Sequence, residues 1–189
     1  AANHAYDFVW GTFCDWFVEL AKPTFSGADE AAKAETRATA AWALDQILKM
    51  LHPFMPFVTE ELWAETGKTG PKRDGYLMLA DWPELDAISY PQAGAELGWL
   101  LEVISAIRSV RTEMNVPAGA KVPLVVVGAS AETTARIETH RAAIERLARV
   151  STIDPVDAIP ASSAQFVVGE ASWGLPLADL IDIAAERQR

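Results

Sequence analysis

Cysteine is nearly missing from this sequence. Cys14 stands alone among 189 residues, so no disulfide can close within the chain. That fits a reducing compartment, and the cytoplasm is the expected location. Histidine is almost as scarce: His4, His52 and His140 are scattered, and neither a Cys-x-x-Cys nor a His-x-x-x-His spacing occurs. The usual zinc patterns are therefore excluded, and no metal site is expected. Long apolar runs are also lacking. The most hydrophobic stretch, Val122 to Val127, has the length of a strand, so no membrane span or secretory leader is expected. Gly67-Lys68-Thr69 ends like a phosphate loop, but position 62, where such a loop requires glycine, is leucine. No Gly-x-Gly-x-x-Gly string occurs either. Cys14 sits in an aromatic-rich helical pattern, where cysteine serves as a small core residue rather than a nucleophile. No catalytic residue and no bound cofactor are expected in these residues.

Basic residues are in deficit as well. With 16 Lys and Arg against 26 Asp and Glu, the formal net charge is −10, which argues against a broad nucleic-acid-binding surface. The distribution is uneven, however. No Lys or Arg lies between Arg73 and Arg108, while Asp81, Glu84, Asp86, Glu96 and Glu102 fall inside that gap. Arg108, Arg111 and Lys121 then follow, opposed locally only by Glu113. Any anion-binding site would be focused.

What is present is an ordinary globular composition, half hydrophobic and 22% charged, long enough for one domain or two small ones. From Ala5 to Ala21 the apolar positions Val9, Phe13, Trp16, Phe17 and Leu20 follow helical spacing, and Pro23 is expected to end that helix. A second helix is expected over about Glu30 to Leu51, burying Ala40, Leu44, Ile47, Leu48 and Leu51. Pro56 suits the first position of a short third helix through Glu65, closed by Gly67. A fourth begins after Pro91 and buries Leu97, Leu100, Ile104, Ile107 and Met114.

The pattern changes after Gly119. Val122 to Val127 reads as a buried strand, Ser130 as an N-cap, and Ala131 to Val150 as an amphipathic helix. Gln165–Val168 and Trp173–Leu177 read as strands, joined by a hairpin signal at Gly169-Glu170-Ala171-Ser172. The expected architecture is mainly α: an antiparallel helical bundle over 1–117, a small α+β domain over 118–178, and the start of a further helix over 179–189. The helix-forming string that ends the chain, and a first residue other than methionine, read as a piece of a longer protein.

One stretch stands out for function. On the helix ending near Asn115, Arg108, Arg111 and Asn115 share a polar stripe beside the apolar stripe of Ile107, Val110 and Met114. A cationic ridge of this kind suits an anionic partner; the competing reading is a solvated face paired to neighbouring acids. Asn115 could equally cap the helix end. Among the aromatics Trp10, Phe13, Trp16 and Phe17, helical spacing points to core packing for most. Trp10 and Trp16 flank the main stripe and are the better candidates for stacking on unpaired bases.

Three strings together carry a resemblance. Trp10-Gly11-Thr12-Phe13-Cys14-Asp15-Trp16-Phe17-Val18-Glu19-Leu20-Ala21-Lys22-Pro23 resembles the opening of the anticodon-binding helical domain in valyl-tRNA synthetases. Leu51-His52-Pro53-Phe54-Met55-Pro56-Phe57-Val58-Thr59-Glu60-Glu61-Leu62-Trp63 resembles a segment shared by the valyl, leucyl and isoleucyl enzymes. The stretch holding Arg108, Arg111, Glu113, Met114, Asn115 and Pro117 is similar to the valyl pattern in particular.

The resemblance implies a class I synthetase that joins valine to its tRNA using ATP and Mg. The His-Ile-Gly-His and Lys-Met-Ser-Lys-Ser strings of that activity are absent here, so these residues alone are expected to be inactive. The implied partners are the anticodon stem-loop of tRNA and the remaining domains of the parent synthetase. The segment Asp179-Leu180-Ile181-Asp182 resembles the lead-in to a coiled coil. Arg108 and Arg111 are the first candidates for RNA contact, followed by Asn115, Lys121, Arg37 and Trp16. The same domain of a leucyl or isoleucyl enzyme, and an acidic helical interaction module with no RNA role, are the alternatives.

Overall fold

A computed structural model describes residues 2–177; the segment expected to begin a further helix at 179–189 lies outside the described residues. The chain divides into two compact units, residues up to Ile88 and those from Ser89 onward.

The first unit is helical. Helix α1 (Ala2–Asp7) runs through a wide π-helical segment (Phe8–Val18) into α2 (Glu19–Ser26). Pro23, expected to end this element, does not: the helix continues to Ser26 and stops at Gly27. A proline removes one ladder hydrogen bond, and here it does so within one turn of the natural end, where little helix remains to be broken. Helix α3 spans Glu30–Leu51, as the spacing requires, and the Asp29 carboxylate caps it by accepting from Ala31 N (2.9 Å) and Ala32 N (3.0 Å). Helix α4 spans Pro56–Gly67 with proline at its first position, and a 3₁₀ turn follows at Leu77–Leu79. Helices α1, α2 and α4 each pack on α3. Ile47, Leu48, Ala21 and Leu77 are the buried apolar residues of this unit, while Ala40, Leu44 and Leu51 are only half-buried.

The second unit opens with helix α5, Pro91–Glu113. Trp99, Leu100, Val103, Ile104, Ile107 and Val110 recur at helical spacing and are buried. Leu97 and Met114, both expected inside, are exposed. Met114 falls past the last helical turn, and Leu97 lies ahead of the buried face that begins at Trp99. Strand β1 (Val122–Val127), helix α6 (Ala131–Ala148) and strand β2 (Val150–Pro155) form a βαβ unit with parallel strands, and the hairpin β3 (Ser163–Val168) and β4 (Ala171–Pro176) completes a sheet of order β2-β1-β4-β3. The turn uses Gly169 at φ +61°, in the left-handed region where glycine carries no steric penalty. Ser130 caps α6 as expected, accepting from Thr133 N at 3.1 Å.

Further boundaries differ from the sequence reading: β3 begins at Ser163 rather than Gln165, and β4 spans Ala171–Pro176 rather than Trp173–Leu177. Helix α6 stops at Ala148 instead of Val150, and Val150 opens a strand that the spacing alone does not reveal. The contact division at 88/89 precedes the change of composition near residue 117, because α5 packs against α6 and β3. The helical region followed by a small α+β unit is thus present, with α5 supplying one wall of the latter. Among the described residues, no helix is long and apolar enough to cross a membrane.

Candidate nucleic-acid interface

The stretch from Arg108 to Lys121 ends α5 and turns the chain into β1. Asn115, at φ +54°, takes the left-handed conformation that terminates a helix. Val116 N donates to Arg111 O (2.9 Å) and Asn115 N to Thr112 O (3.1 Å), the paired bonds of a Schellman stop. Asparagine tolerates this backbone better than most residues, and of the two roles open to it from sequence, the cap is the one its conformation displays.

Arg111 departs most from expectation. Its place on the helix suggests a solvated cation, yet it is only 7% exposed. Its guanidinium donates to three carbonyls: Nη1 to Arg149 O (3.2 Å), and Nη2 to Pro117 O (3.3 Å) and Ala120 O (2.8 Å). One side chain thereby ties the end of α5, the 117–120 turn and the residue joining α6 to β2. Burial, and then the charge of Arg149, pull its pKa below the usual arginine range.

Arg108, one turn back, is exposed, and its Nε donates to Leu147 O (3.0 Å) in the last turn of α6. Two α5 arginines therefore meet carbonyls at the C-terminal end of α6, where the helix dipole and unpaired carbonyls favour cations. The ridge read from sequence has a structural duty that helical spacing could not disclose.

Around these groups lies an open recess of about 380 Å³, lined by Arg108, Arg111, Thr112, Ala118, Leu147 and Arg149 among others. Sequence reasoning misses Arg149 because it places that residue inside a helix. It takes the left-handed stop conformation after α6, at φ +54°, and its side chain is exposed. Nothing in the sequence signals this, since glycine or asparagine is the usual residue there. Lys121 is exposed just ahead of β1.

Arg37 and Trp16 belong to the first unit. Arg37 is exposed on α3, its guanidinium carbon 6.0 Å from the centre of the Phe25 ring, at the outer limit of a cation–π contact. Trp16 is half-buried, Trp10 is exposed, and Phe13 and Phe17 stack on one another at 5.3 Å. The first unit also holds a charged knot that the sequence does not announce. Arg73 forks onto Asp45 (2.7 Å on both oxygens), reaches Thr66 Oγ1 (3.0 Å), and lies 3.8 Å over the Trp63 ring. A Cβ at Gly67 would overlap Arg73 Cγ, so glycine is what admits this close approach.

The geometry favours contact with an anion at restricted points. Among the described residues no three His, Cys, Asp or Glu side chains assemble into a metal-binding group.

Residues 1–126 match the family described as the anticodon-binding domain of tRNA ligase. All of the chain aligns with a Valine--tRNA ligase of Caulobacter vibrioides at 56% identity over 190 residues, covering 21% of that protein. The Valine--tRNA ligases of Agrobacterium fabrum and Brucella suis are each 54% identical over 189 residues, again across the whole chain, and are covered to 20% and 21%. The chain spans about a fifth of the length of these curated relatives.

Proposed function

The chain belongs to the family of anticodon-binding domains of tRNA ligases, and from that premise we propose that it is the tRNA-gripping part of a valine--tRNA ligase. The observation that carries this reading is the whole-chain alignment with such ligases at 54–56% identity, which extends past the 126 residues of the family match. The parent polypeptide would join valine to tRNA in the cytoplasm, with ATP and Mg handled by its other parts.

In this reading the anticodon stem-loop is held by cations on phosphates and by aromatic or guanidinium planes against unstacked bases. Lys121 and Arg149 are exposed and suit phosphate oxygens; Arg108, its Nε engaged by Leu147 O, lines the same recess as Arg149. Arg37 and Trp16 are the candidates from the first unit. Burial of Arg111 and the cap conformation of Asn115 support positioning roles for both, with Arg111 setting the frame from which its neighbours reach RNA. The helices before Ile88, arranged as an antiparallel bundle, would bind RNA, and α5 would carry its own RNA-binding residues up to about residue 117. Residues 118–178 would brace α5 from behind.

The test uses the full-length parent. Lys121→Ala should weaken tRNA binding and lower the slope of log affinity against log salt by roughly 0.7 to 1, as expected for one lost phosphate contact. ATP-dependent valine activation should be unchanged. Equal loss of activation and charging, or selective charging with leucine or isoleucine, would overturn the proposal.

A further inference from the structure

The first unit leaves a large apolar surface bare on one side of α4. Phe57 is 91% exposed, and Phe54, Met55, Val58 and Leu62 are exposed beside it. Tyr76 (68%) and Met78 (69%) are exposed as well, and an open groove of about 500 Å³ lies between them and the side of α4 that carries Pro56, Phe57 and Ala64. Exposure of this extent around the start of α4 is more than scattered surface residues produce, and patches of this kind mark contact sites.

The groove is held in shape by hydrogen bonds. The Glu60 carboxylate accepts from Leu77 N (2.8 Å) and Met78 N (3.3 Å), which pins the 76–79 segment alongside α4. Trp63 Nε1 donates to Gly75 O (3.2 Å), and at the start of α4 the Thr59 hydroxyl meets both Met55 O and His52 Nδ1 at 2.8 Å. Apolar side chains are thus displayed on a preformed frame.

We infer that this face of α4 and the 76–79 segment is a docking surface for an apolar element of the same, longer polypeptide, one flanked by Lys or Arg. Two observations select this occupant. The relatives are about five times the length of this chain, and the whole chain aligns within them, so most of the polypeptide in such proteins lies outside the aligned region. The rim of the groove is acidic, with Glu60 and Glu61 among the residues that line it. That rim repels phosphate, which disfavours RNA. An isologous pairing would set this acidic rim against the same acidic rim, which disfavours a second copy of this chain.

The experiment is cysteine labelling in the full-length parent. Its remaining cysteines are replaced by serine, and a single cysteine is placed at Phe57→Cys or, as an exposed control, at Val167→Cys on β3. A maleimide should modify position 57 at least ten-fold more slowly than position 167, at every protein concentration. Matching circular dichroism melts with the unsubstituted protein show that neither variant has unfolded. Equal labelling rates would overturn the inference. So would protection that disappears on dilution, which indicates a second copy, or protection that appears only when tRNA is added, which indicates RNA. None of these outcomes depends on which amino acid the parent charges.

Discussion

Arg111→Ala should destabilise the second unit strongly, through the loss of a staple rather than of an RNA contact. The side chain makes three hydrogen bonds from a charged donor, and each acceptor fares differently when it is gone. Arg149 O retains Val122 N (3.3 Å) and Pro117 O retains Ala120 N (3.0 Å), while Ala120 O loses the Arg111 donor at 2.8 Å. Bonds to a charged group contribute about 1.5–3 kcal/mol each before the retained partners are considered, and the carbonyl of half-buried Ala120 is left without this donor. A net loss of about 3 kcal/mol follows.

Hydrogen exchange at the amides of β1 reads this unit alone, and that loss corresponds to protection lower by on the order of 100-fold. Arg108→Ala, which removes the bond to Leu147 O from an exposed residue, should cost less, about 1 kcal/mol. Arg111→Lys should fall between wild type and alanine, because an ammonium cannot reach three carbonyls with the geometry of a planar fork. If Arg111→Ala left β1 exchange unchanged while tRNA affinity fell, the staple argument would be refuted and direct contact with RNA restored.

Three further outcomes are expected. Glu170 accepts from Ser130 N (3.2 Å) and Thr133 Oγ1 (2.8 Å) at the start of α6, and hydrogen bonds from Ser130 and Thr133 hold its carboxyl down at about 2. Its folded value lies below the roughly 4.3 of an unfolded glutamate, so its stabilisation is complete above that pH and disappears as pH falls towards 2. Acid titration of Glu170→Gln should show a shallower loss of stability across that window, and an identical profile would count against the cap. Gly67→Ala should displace Arg73 from Asp45 and Trp63 and lower stability by about 1–3 kcal/mol in urea melts; an unchanged midpoint would mean that α4 shifts freely. Asn115→Gly should be neutral to stabilising by up to about 1 kcal/mol, and Asn115→Val clearly destabilising, because φ is +54° there. Thermal melts of the pair read the sign.

The elements that depend on neighbours in sequence are legible from the amino acids alone. Glu30–Leu51 and Val122–Val127 have the bounds their patterns require, since alanine-dense helical spacing and a β-branched run act locally. The caps at Ser130 and Asn115 are equally local, and the three family strings lie in plain view.

Other features depend on what comes together in space. Strand β2 is the plainest case. Val150 and Ile153 are buried three residues apart, a helical spacing, because the register slips between their partners Val122 and Leu124 and an extra residue of β2 bulges there. Only pairing with β1 turns that spacing into a strand. Arg111 is the other case. On its own helix it belongs to a charged stripe, and nothing in the adjoining residues indicates that a second helix will end against it. The order of amino acids is enough to establish that a cationic cluster closes α5. That its centre holds carbonyls of the 117–120 turn and of the residue after α6 follows from tertiary packing, because a buried guanidinium must satisfy its donors with whatever the fold brings near.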